Sequence, residues 1–411
     1  MVFRMKICQI NCVYGVGSTG KIVRDIHSSL MEKGIDSMVI VPMTRNKDVG
    51  VYTVSNKFLS YNTAIYRRGF GRQFDGALIQ TNRIIQIMAK EKPDLVHLHC
   101  INGNNINVYR LLNYLSTNHI KTIMTLHAEY PYTGGCGHAY DCEKWKTGCG
   151  HCPILRDGTQ SVLFDGTKHT WSSQKRCYDN FLPDEMTITS VSPWLKRRAD
   201  MSPMLSRFEN RVILNGCDTS IFYPRESSYW HRKLNLLPEQ KIIAHIAASF
   251  TPDKDSLKGG KYIYQLAEKL KGSPYVIVVA ANYGEAPNTP ENLIYVGRTE
   301  AQEQLADLYS EAACTVLTSK RETFSMVLAE SLCCGTPIVG FEAGGPESIA
   351  IPEYCSFVKY GNLDDLYNEL CNTISRETSS IRIGSESQEL YGCKVMCDNY
   401  LSLYQDLNRC K

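Results

Sequence analysis

The chain has 411 residues, of which 43% are apolar and 21% charged, and its formal net charge is +3. This length accommodates two ordinary domains, and so small a charge gives no indication of a nucleic-acid partner. We find no run of eighteen apolar residues and therefore expect no membrane-spanning helix. The N-terminal segment predicts a strand rather than a signal peptide, so we expect a cytoplasmic protein whose 17 cysteines are mostly reduced.

Predicted strands and helices alternate along the first half of the chain. The strands are KICQIN, SMVIVP, DLVHLH, KTIMTLH, MTITSVS and RVILNGCD, and the helices include residues 20–33, TNRIIQIMAKEK and VYRLLNYLSTN. The polar segment 223–240 is interpreted as a linker, after which the alternation restarts with IIAHIAASF. Such alternation predicts two α/β domains with parallel, doubly wound sheets, at residues 1–222 and 223–390.

The most informative segment runs from Thr318 to Ile349 and contains Glu322 and Glu330, with seven residues between them. A polar loop carrying Glu322 follows the strand CTVLT and precedes a helix that Thr323 is expected to cap. This loop should lie at the carboxyl edge of a parallel sheet, where α/β proteins bind ligands. Its helix N-terminus suits an anion, and Glu330 suits a neighbouring hydroxyl. A surface loop with a solvated glutamate is the alternative.

The sequence ETFSMVLAESLCCGTPIVG resembles the retaining glycosyltransferases of family 4, which use nucleotide sugars and have the GT-B fold. The resemblance implies two Rossmann-like domains facing each other across a cleft, and a final helix, residues 391–411, that returns to the first domain. It implies that Glu322 contacts the transferred sugar and that Glu330 binds the ribose hydroxyls. The residues implied to hold the diphosphate are Thr323, Phe324 and Ser325.

A glycine-rich loop, GVGSTGK, follows the first strand and partly fits two other motifs. The dinucleotide fingerprint requires an acidic residue after strand two, where SMVIVPM has none, and Walker A requires Ser or Thr where Ile22 stands. The resemblance implies instead that Gly17, Ser18 and Gly20 approach the donor phosphate and the acceptor. A βα turn without a ligand is the alternative.

His127 follows the strand KTIMTL, at its carboxyl end. The resemblance implies that this histidine hydrogen-bonds the transferred sugar, and a satisfied structural histidine is the alternative. His97 and His99 in DLVHLH are interpreted as structural rather than catalytic.

Lys258 in DSLKGG matches the lysine that neutralises the donor diphosphate in the resembling family, and a solvated lysine is the alternative. Family members commonly have an arginine five or six residues earlier, but Pro252 and Asp253 stand at those positions here. One cationic group is therefore missing, and Lys254 or Arg321 could replace it.

Four cysteines, Cys136, Cys142, Cys149 and Cys152, fall within GGCGHAYDCEKWKTGCGHCP. Their thiolates could close a tetrahedral structural zinc site, which would take no part in the chemistry because four protein ligands leave no open position. Free thiols, or a redox pair at Cys149 and Cys152, are the alternatives. A subset of polysaccharide glycosyltransferases carries a similar insertion.

The resemblance, together with these features, implies a retaining hexosyltransferase that uses a UDP- or GDP-linked sugar and needs no cofactor for catalysis. The acceptor is expected to be a glycan or lipid-linked glycan of surface polysaccharide biosynthesis. The segment Tyr66–Phe74 mixes basic and aromatic residues and is the candidate for a peripheral membrane contact, with a solvated loop as the alternative. A sugar-nucleotide epimerase of the same fold and a non-catalytic scaffold that binds zinc or a nucleotide are the alternative functions.

Overall fold

A computed structural model describes residues 5–103, 105–251, 256–282 and 289–409 of the chain. The chain divides into two compact units, the first made of residues 1–214 and 396–411 and the second of residues 215–395. The sequence analysis placed the end of the first domain at residue 222 and the start of the helix that returns to it at residue 391. Pro252, Asp253 and Lys254, which concern the missing arginine, lie outside the described residues.

Among the described residues before 215, the first unit has seven strands and six α-helices, besides three short helical turns. The strands are β1 (Lys6–Ile10), β2 (Asp36–Val41), β3 (Val51–Thr53), β4 (Leu95–Leu98), β5 (Lys121–Leu126), β6 (Met186–Ser190) and β7 (Glu209–Val212). The helices are α1 (Gly17–Glu32), α2 (Lys57–Phe70), α3 (Leu78–Glu91), α4 (Val108–Thr117), α5 (Thr167–Asp179) and α6 (Pro193–Asp200). The strand order is β3-β2-β1-β4-β5-β6-β7, and every neighbouring pair is parallel.

The second unit repeats this organisation with six strands. They are β8 (Lys241–Ser249), β9 (Tyr275–Asn282), β10 (Leu293–Gly297), β11 (Ala312–Leu317), β12 (Ile338–Phe341) and β13 (Cys355–Val358). The helices of this unit are α7 (Tyr229–Lys233), α8 (Gly260–Lys269), α9 (Gln302–Glu311), α10 (Met326–Cys333), α11 (Gly345–Ile349), α12 (Leu363–Ser375) and α13 (Ser380–Tyr391). The last helix, α14 (Cys393–Arg409), begins at the end of this unit and continues into the first. The strand order is β10-β9-β8-β11-β12-β13, again with parallel neighbours.

Alternate residues of the central strands pack on opposite faces of the second sheet. Ile243 and Val279 pack with residues of α8 and α12, whereas Ile242 and Val278 pack with residues of α7 and α9. Because both faces of a parallel sheet are covered by helices, its strands are apolar on both sides, which explains their continuous apolar sequences.

The C-terminal helix α14 belongs to the first unit from residue 396 onward. Its Tyr404 hydroxyl lies 2.7 Å from Nδ1 of His97, and its Tyr400 hydroxyl lies 3.0 Å from Oγ1 of Thr125. The side chain of His97 is fully buried and also contacts Thr125, so it joins the sheet to the helix, as expected for a structural histidine. Within the described ranges, none of the helices combines the length and the apolar character that a membrane crossing requires.

Both sheets reverse their direction of growth between two central strands, β1 and β4 in the first and β8 and β11 in the second. This topological switch point is where doubly wound sheets bind ligands, outside the carboxyl ends of the strands. The predicted α/β class with two Rossmann-like sheets is confirmed. In the second sheet, the loops after β8 and β11 lie at the switch point and are candidates for a ligand site.

Candidate functional site

The loops at the switch point of the second sheet bring Lys258 and Glu322 together. Lys258 follows β8 and Glu322 follows β11, and Nζ of the lysine donates to Oε1 of the glutamate at 2.7 Å. The Ser319 hydroxyl donates to the same oxygen at 2.7 Å. The side chains of Lys258 and Glu322 are 28% and 15% exposed, so the pair is shielded but within reach of a ligand.

Glu322 is held in its ionised form. Burial alone would raise the pKa of its carboxyl group, but the charge of Lys258 and hydrogen bonds from Lys258, Ser319 and Ser325 hold that pKa below its ordinary value. An opposite charge at hydrogen-bond distance favours the charged form of an acid. The site therefore presents a carboxylate, able only to accept hydrogen bonds, beside a cation.

The helix that follows Glu322 begins later than the sequence predicts. Ser325, not Thr323, is the N-cap of α10, and its Oγ accepts from the Leu328 amide at 3.4 Å. The expected Thr323 cap is wrong because the chain first buries Phe324, which is 3% exposed, and only then turns into the helix. The first helical amides therefore start at Met326 rather than at Phe324.

Ser325 adopts an unusual backbone conformation, with φ at 94° and ψ at 94°. A side chain at positive φ costs free energy unless the surrounding structure compensates, and such residues cluster at functional sites. Here the side chain caps α10 and contributes a hydrogen bond to Glu322. The strained residue thus links the carboxylate to the N-terminus of the helix.

Glu330 lies on α10, little more than one turn from its start at Met326, because the helix is shorter than predicted. The Tyr309 hydroxyl, from α9, donates to Oε2 of Glu330 at 3.1 Å. Burial and the charge of Glu330 raise the pKa of Tyr309 well above its ordinary value, so the hydroxyl remains a donor. This tyrosine orients the half-buried carboxylate.

The loop that carries Glu322 is joined to the turn that precedes α11. The Glu322 amide donates to the Ala343 carbonyl at 3.0 Å, and the Gly345 amide donates to the Glu322 carbonyl at 2.8 Å. Glu347 braces the turn by accepting from the Ala343 amide at 3.0 Å. A Cβ atom on Gly345 would lie 2.3 Å from the carbonyl carbon of Thr323, so only glycine permits this approach.

The sequence analysis did not identify three residues that lie near Lys258 and the two glutamates. Ser319 and Tyr309 hold the two glutamates, and nothing in their local sequence distinguishes them from ordinary polar residues. His245 in β8 could have been found, because it interrupts an apolar strand. Its Nδ1 lies 3.0 Å from the Val316 carbonyl oxygen, its Nε2 has no hydrogen-bond partner among the described residues, and burial lowers its pKa to about 4.

In the first unit, His127 takes part in a short chain of hydrogen bonds. The Gln9 side-chain amide donates to the Val23 carbonyl at 3.3 Å, and its Oε1 lies 3.2 Å from Nε2 of His99. Nδ1 of His99 lies 3.2 Å from Nε2 of His127. His99 is fully buried, and it therefore supports His127 rather than a substrate.

This chain assigns the proton positions of both histidines. Since the Gln9 nitrogen donates to a carbonyl, its oxygen faces His99, whose Nε2 must carry a proton. Burial lowers the pKa of His127 to about 4 and that of His99 well below its ordinary value, so both rings are neutral. Nδ1 of His99 then accepts the Nε2 proton of His127, and Nδ1 of His127 is its acceptor nitrogen.

The glycine-rich loop follows β1, at the carboxyl edge of the first sheet. Helix α1 starts at Gly17 rather than at the predicted Gly20, so Ser18 also belongs to its first turn. Gly15 and Gly17 have φ of 69° and 65°, and the Gly15 amide donates to the Gly20 carbonyl at 2.8 Å. A Cβ atom on Gly20 would lie 3.3 Å from the Gly15 nitrogen, a tight contact, so the turn leaves little room for a side chain.

The four cysteines of the insertion line one small cavity of about 20 Å³, with room for about one water molecule. Nevertheless, no three His, Cys, Asp or Glu side chains among the described residues are arranged to hold a metal ion. The Cys149 thiol accepts from the Gly134 amide at 3.1 Å, and burial raises the pKa of Cys136 and Cys149 to about 12. The zinc site predicted at Cys136, Cys142, Cys149 and Cys152 is not supported.

A buried carboxylate organises this insertion instead. Glu129 is fully buried, and its Oε1 accepts from Nε of Arg198 at 2.6 Å and from the Tyr132 hydroxyl at 2.9 Å. Its Oε2 accepts from the Ala139 amide at 2.8 Å. Trp145 is 1% exposed and lies against the Arg198 guanidinium, 4.9 Å from its ring centroid. These contacts give the insertion a folded centre made of protein groups.

Comparison with known proteins gives a consistent result. Residues 232–387 match the family model described as glycosyl transferases group 1. Over 98% of this chain and all of the relative, the sequence is 20% identical to a glycosyl transferase assigned to colanic acid biosynthesis in Escherichia coli (strain K12).

Two solved structures share the fold. A glycosyltransferase from Rickettsia africae ESF-5 matches with a TM-score of 0.71 and 14% identity over 100% of both chains. The Anabaena protein HepE, solved in complex with UDP-glucose, matches with a TM-score of 0.65 and 13% identity over 98% of this chain and 100% of its own. These likenesses confirm the predicted GT-B fold class.

Proposed function

We propose that this chain, whose residues 232–387 match the model of the glycosyl transferases group 1 family, is a glycosyltransferase that moves a hexosyl group from a UDP- or GDP-linked sugar to a lipid-linked glycan. The observation that carries the proposal is the ionised Glu322, 2.7 Å from Lys258, at the switch point of the second sheet. A carboxylate suits the hydroxyls of a sugar, and an adjacent cation suits a diphosphate. The pair can therefore bind both the sugar and the diphosphate of a nucleotide-sugar.

The diphosphate is a leaving group on which negative charge develops. An ammonium group has three donors, so Lys258 can keep its bond to Glu322 and still donate to a phosphate oxygen. The N-terminus of α10, close to Ser325, adds backbone amides and the positive end of the helix dipole. We propose that these groups stabilise the departing charge without a metal, with Thr323, Phe324 and Ser325 along the diphosphate.

The remaining predicted residues take proposed roles consistent with their chemistry. Glu330, oriented by Tyr309, accepts from the ribose hydroxyls. His127, supported by His99, hydrogen-bonds a sugar hydroxyl. The residues proposed to approach the donor phosphate from the first unit are Gly17, Ser18 and Gly20.

Retention is proposed to follow from attack on the face from which the diphosphate leaves. The bond from the anomeric carbon to the phosphate oxygen breaks, and the bond to the acceptor oxygen forms on the same side. The acceptor proton passes to the departing phosphate oxygen. The relative assigned to colanic acid biosynthesis supports an acceptor in surface polysaccharide biosynthesis, and the HepE complex supports a UDP-linked donor.

Slow hydrolysis of the correct donor tests this proposal without knowledge of the acceptor. We expect the chain to release the nucleotide from one member of a panel of UDP- and GDP-hexoses. The release should continue in the presence of EDTA. In proton NMR spectra, the free sugar should appear first with the same anomeric configuration as in the donor. Lys258→Met should lower the rate about a hundredfold, as the loss of one charge-stabilising donor does in other enzymes. Lys269→Met, which removes an exposed lysine paired with Asp364, is the matched control.

Three outcomes would contradict parts of the proposal. An inverted first product would exclude retention, and inhibition by EDTA would exclude metal independence. Isomerisation of the donor sugar without nucleotide release would favour the epimerase alternative.

A further inference from the structure

Helix α2 presents an apolar face to solvent. None of its fourteen residues is buried, although the structure describes all of them. The side chains of Phe58, Tyr61, Ile65 and Phe70 are exposed over 55–71% of their surface. Phe58, Tyr61 and Ile65 are spaced three and four residues apart and therefore lie on one side of the helix. An ordinary surface helix has polar residues on this side.

A second exposed apolar segment, Val162–Phe164, extends this face. Its three side chains are 57–70% exposed. The Val162 amide donates to the Arg68 carbonyl at 3.2 Å, and a Cβ atom on Gly71 would lie 2.0 Å from the Phe164 carbonyl oxygen. The segment therefore runs beside the C-terminal end of α2. We call the combined surface, Phe58, Tyr61, Ile65, Phe70 and Val162–Phe164, the α2 face.

The charged residues of helix α2 are all basic. Helix α2 contains Lys57, Arg67 and Arg68 and no acidic residue. Lys57 and Arg68 are both exposed. Two carboxylates lie nearby: Asp75 pairs with Arg72 at 3.4 Å, and Asp165, which follows Phe164, accepts from the Cys152 amide at 2.7 Å.

We propose that the α2 face docks on a membrane surface that contains anionic lipids. Exposed apolar patches mark interaction sites, and aromatic and aliphatic side chains flanked by Lys and Arg are the composition that enters the headgroup region of a bilayer. The basic residues of α2, in a helix that has no acidic residue, complement anionic headgroups. The inference builds on the proposed lipid-linked acceptor, which such docking would bring within reach of the enzyme.

This surface differs from the segment Tyr66–Phe74 that the sequence suggested. Residues 66–70 are the end of α2 rather than a loop, and Gly71 is the C-cap. Gln73 and Phe74 are 1% and 6% exposed, so they cannot enter a bilayer. The apolar contribution comes instead from residues earlier in α2 and from Val162–Phe164.

Sedimentation of the full chain with vesicles tests the proposal. We expect the chain to bind vesicles of phosphatidylcholine and phosphatidylglycerol, to bind phosphatidylcholine alone weakly, and to lose affinity as salt rises. Each basic residue near an anionic surface contributes about fivefold, so Lys57→Gln with Arg68→Gln should weaken binding about 25-fold. Phe58→Gln with Leu163→Gln should weaken binding to both kinds of vesicle. The matched control is Ile381→Gln, which alters a side chain 75% exposed in the second unit.

Two results would overturn the proposal. The first is that the chain does not bind anionic vesicles. If sedimentation velocity then shows self-association that the α2-face variants abolish, the face is an interface between copies of the chain and not a membrane surface. The second is binding that these variants leave unchanged. The measurement needs neither donor nor acceptor, so its failure is distinguishable from failure of the proposed transferase activity.

Discussion

Replacing Glu322 by glutamine is expected to lower the rate of sugar transfer about a hundredfold while the chain stays folded. The amide keeps the volume and one oxygen that can accept from Lys258 and Ser319, so the local structure should survive. It loses the negative charge that orders the lysine, and a small displacement of reacting groups costs about this much in rate. Steady-state rates with the donor identified by hydrolysis provide the measurement.

The control for this substitution is Glu303→Gln, which changes an exposed glutamate in α9 of the same unit. Its rate should equal that of the unmodified chain. A Glu322→Gln variant that melts normally and transfers sugar at an unchanged rate would remove Glu322 from the reaction.

Introducing alanine at Gly345 is expected to destabilise the second unit and to abolish activity together. The new Cβ atom would lie 2.3 Å from the Thr323 carbonyl carbon and 2.6 Å from the Phe324 nitrogen, and backbone atoms cannot move aside as a flexible side chain can. Overpacking of this kind costs about 1–3 kcal/mol. The shift would also break the hydrogen bond from the Gly345 amide to the Glu322 carbonyl. Thermal denaturation and the transfer rate are the two readouts.

Gly137→Ala is the matched control, because a Cβ atom there would meet no atom within 4 Å and the glycine does not have positive φ. It should change neither the melting temperature nor the rate appreciably. If Gly345→Ala has the same melting temperature and transfer rate as the control, the turn before α11 does not hold the Glu322 loop.

Much of the architecture could be predicted because it depends on periodicity. Parallel strands covered on both faces form short apolar runs, and the intervening helices show a 3.6-residue pattern, so the alternation and the sheet class follow from the sequence. The start of α10 does not follow from local preference. Thr323 is a good capping residue, but the burial of Phe324 and the positive φ of Ser325 are decided by packing against the turn before α11.

The candidate site was predictable in its parts but not in its connections. The sequence indicated Lys258 and Glu322 separately, and only the adjacency of β8 and β11 makes them an ion pair. The cysteine spacing allowed a zinc site, but it could not reveal that Glu129 is buried beneath the insertion. Contacts between residues far apart in sequence depend on strand order, which composition and spacing do not determine.

The most direct test of the central claim, that the second unit binds a nucleotide-sugar through α10, is calorimetric titration of the chain with UDP, GDP and ADP in EDTA. We expect UDP or GDP to bind, and Glu330→Gln, which keeps an acceptor for Tyr309, to weaken binding about tenfold. Glu303→Gln should bind as the unmodified chain does. If neither UDP nor GDP binds, or if the Glu330 substitution leaves their affinity unchanged, the proposed donor site is wrong.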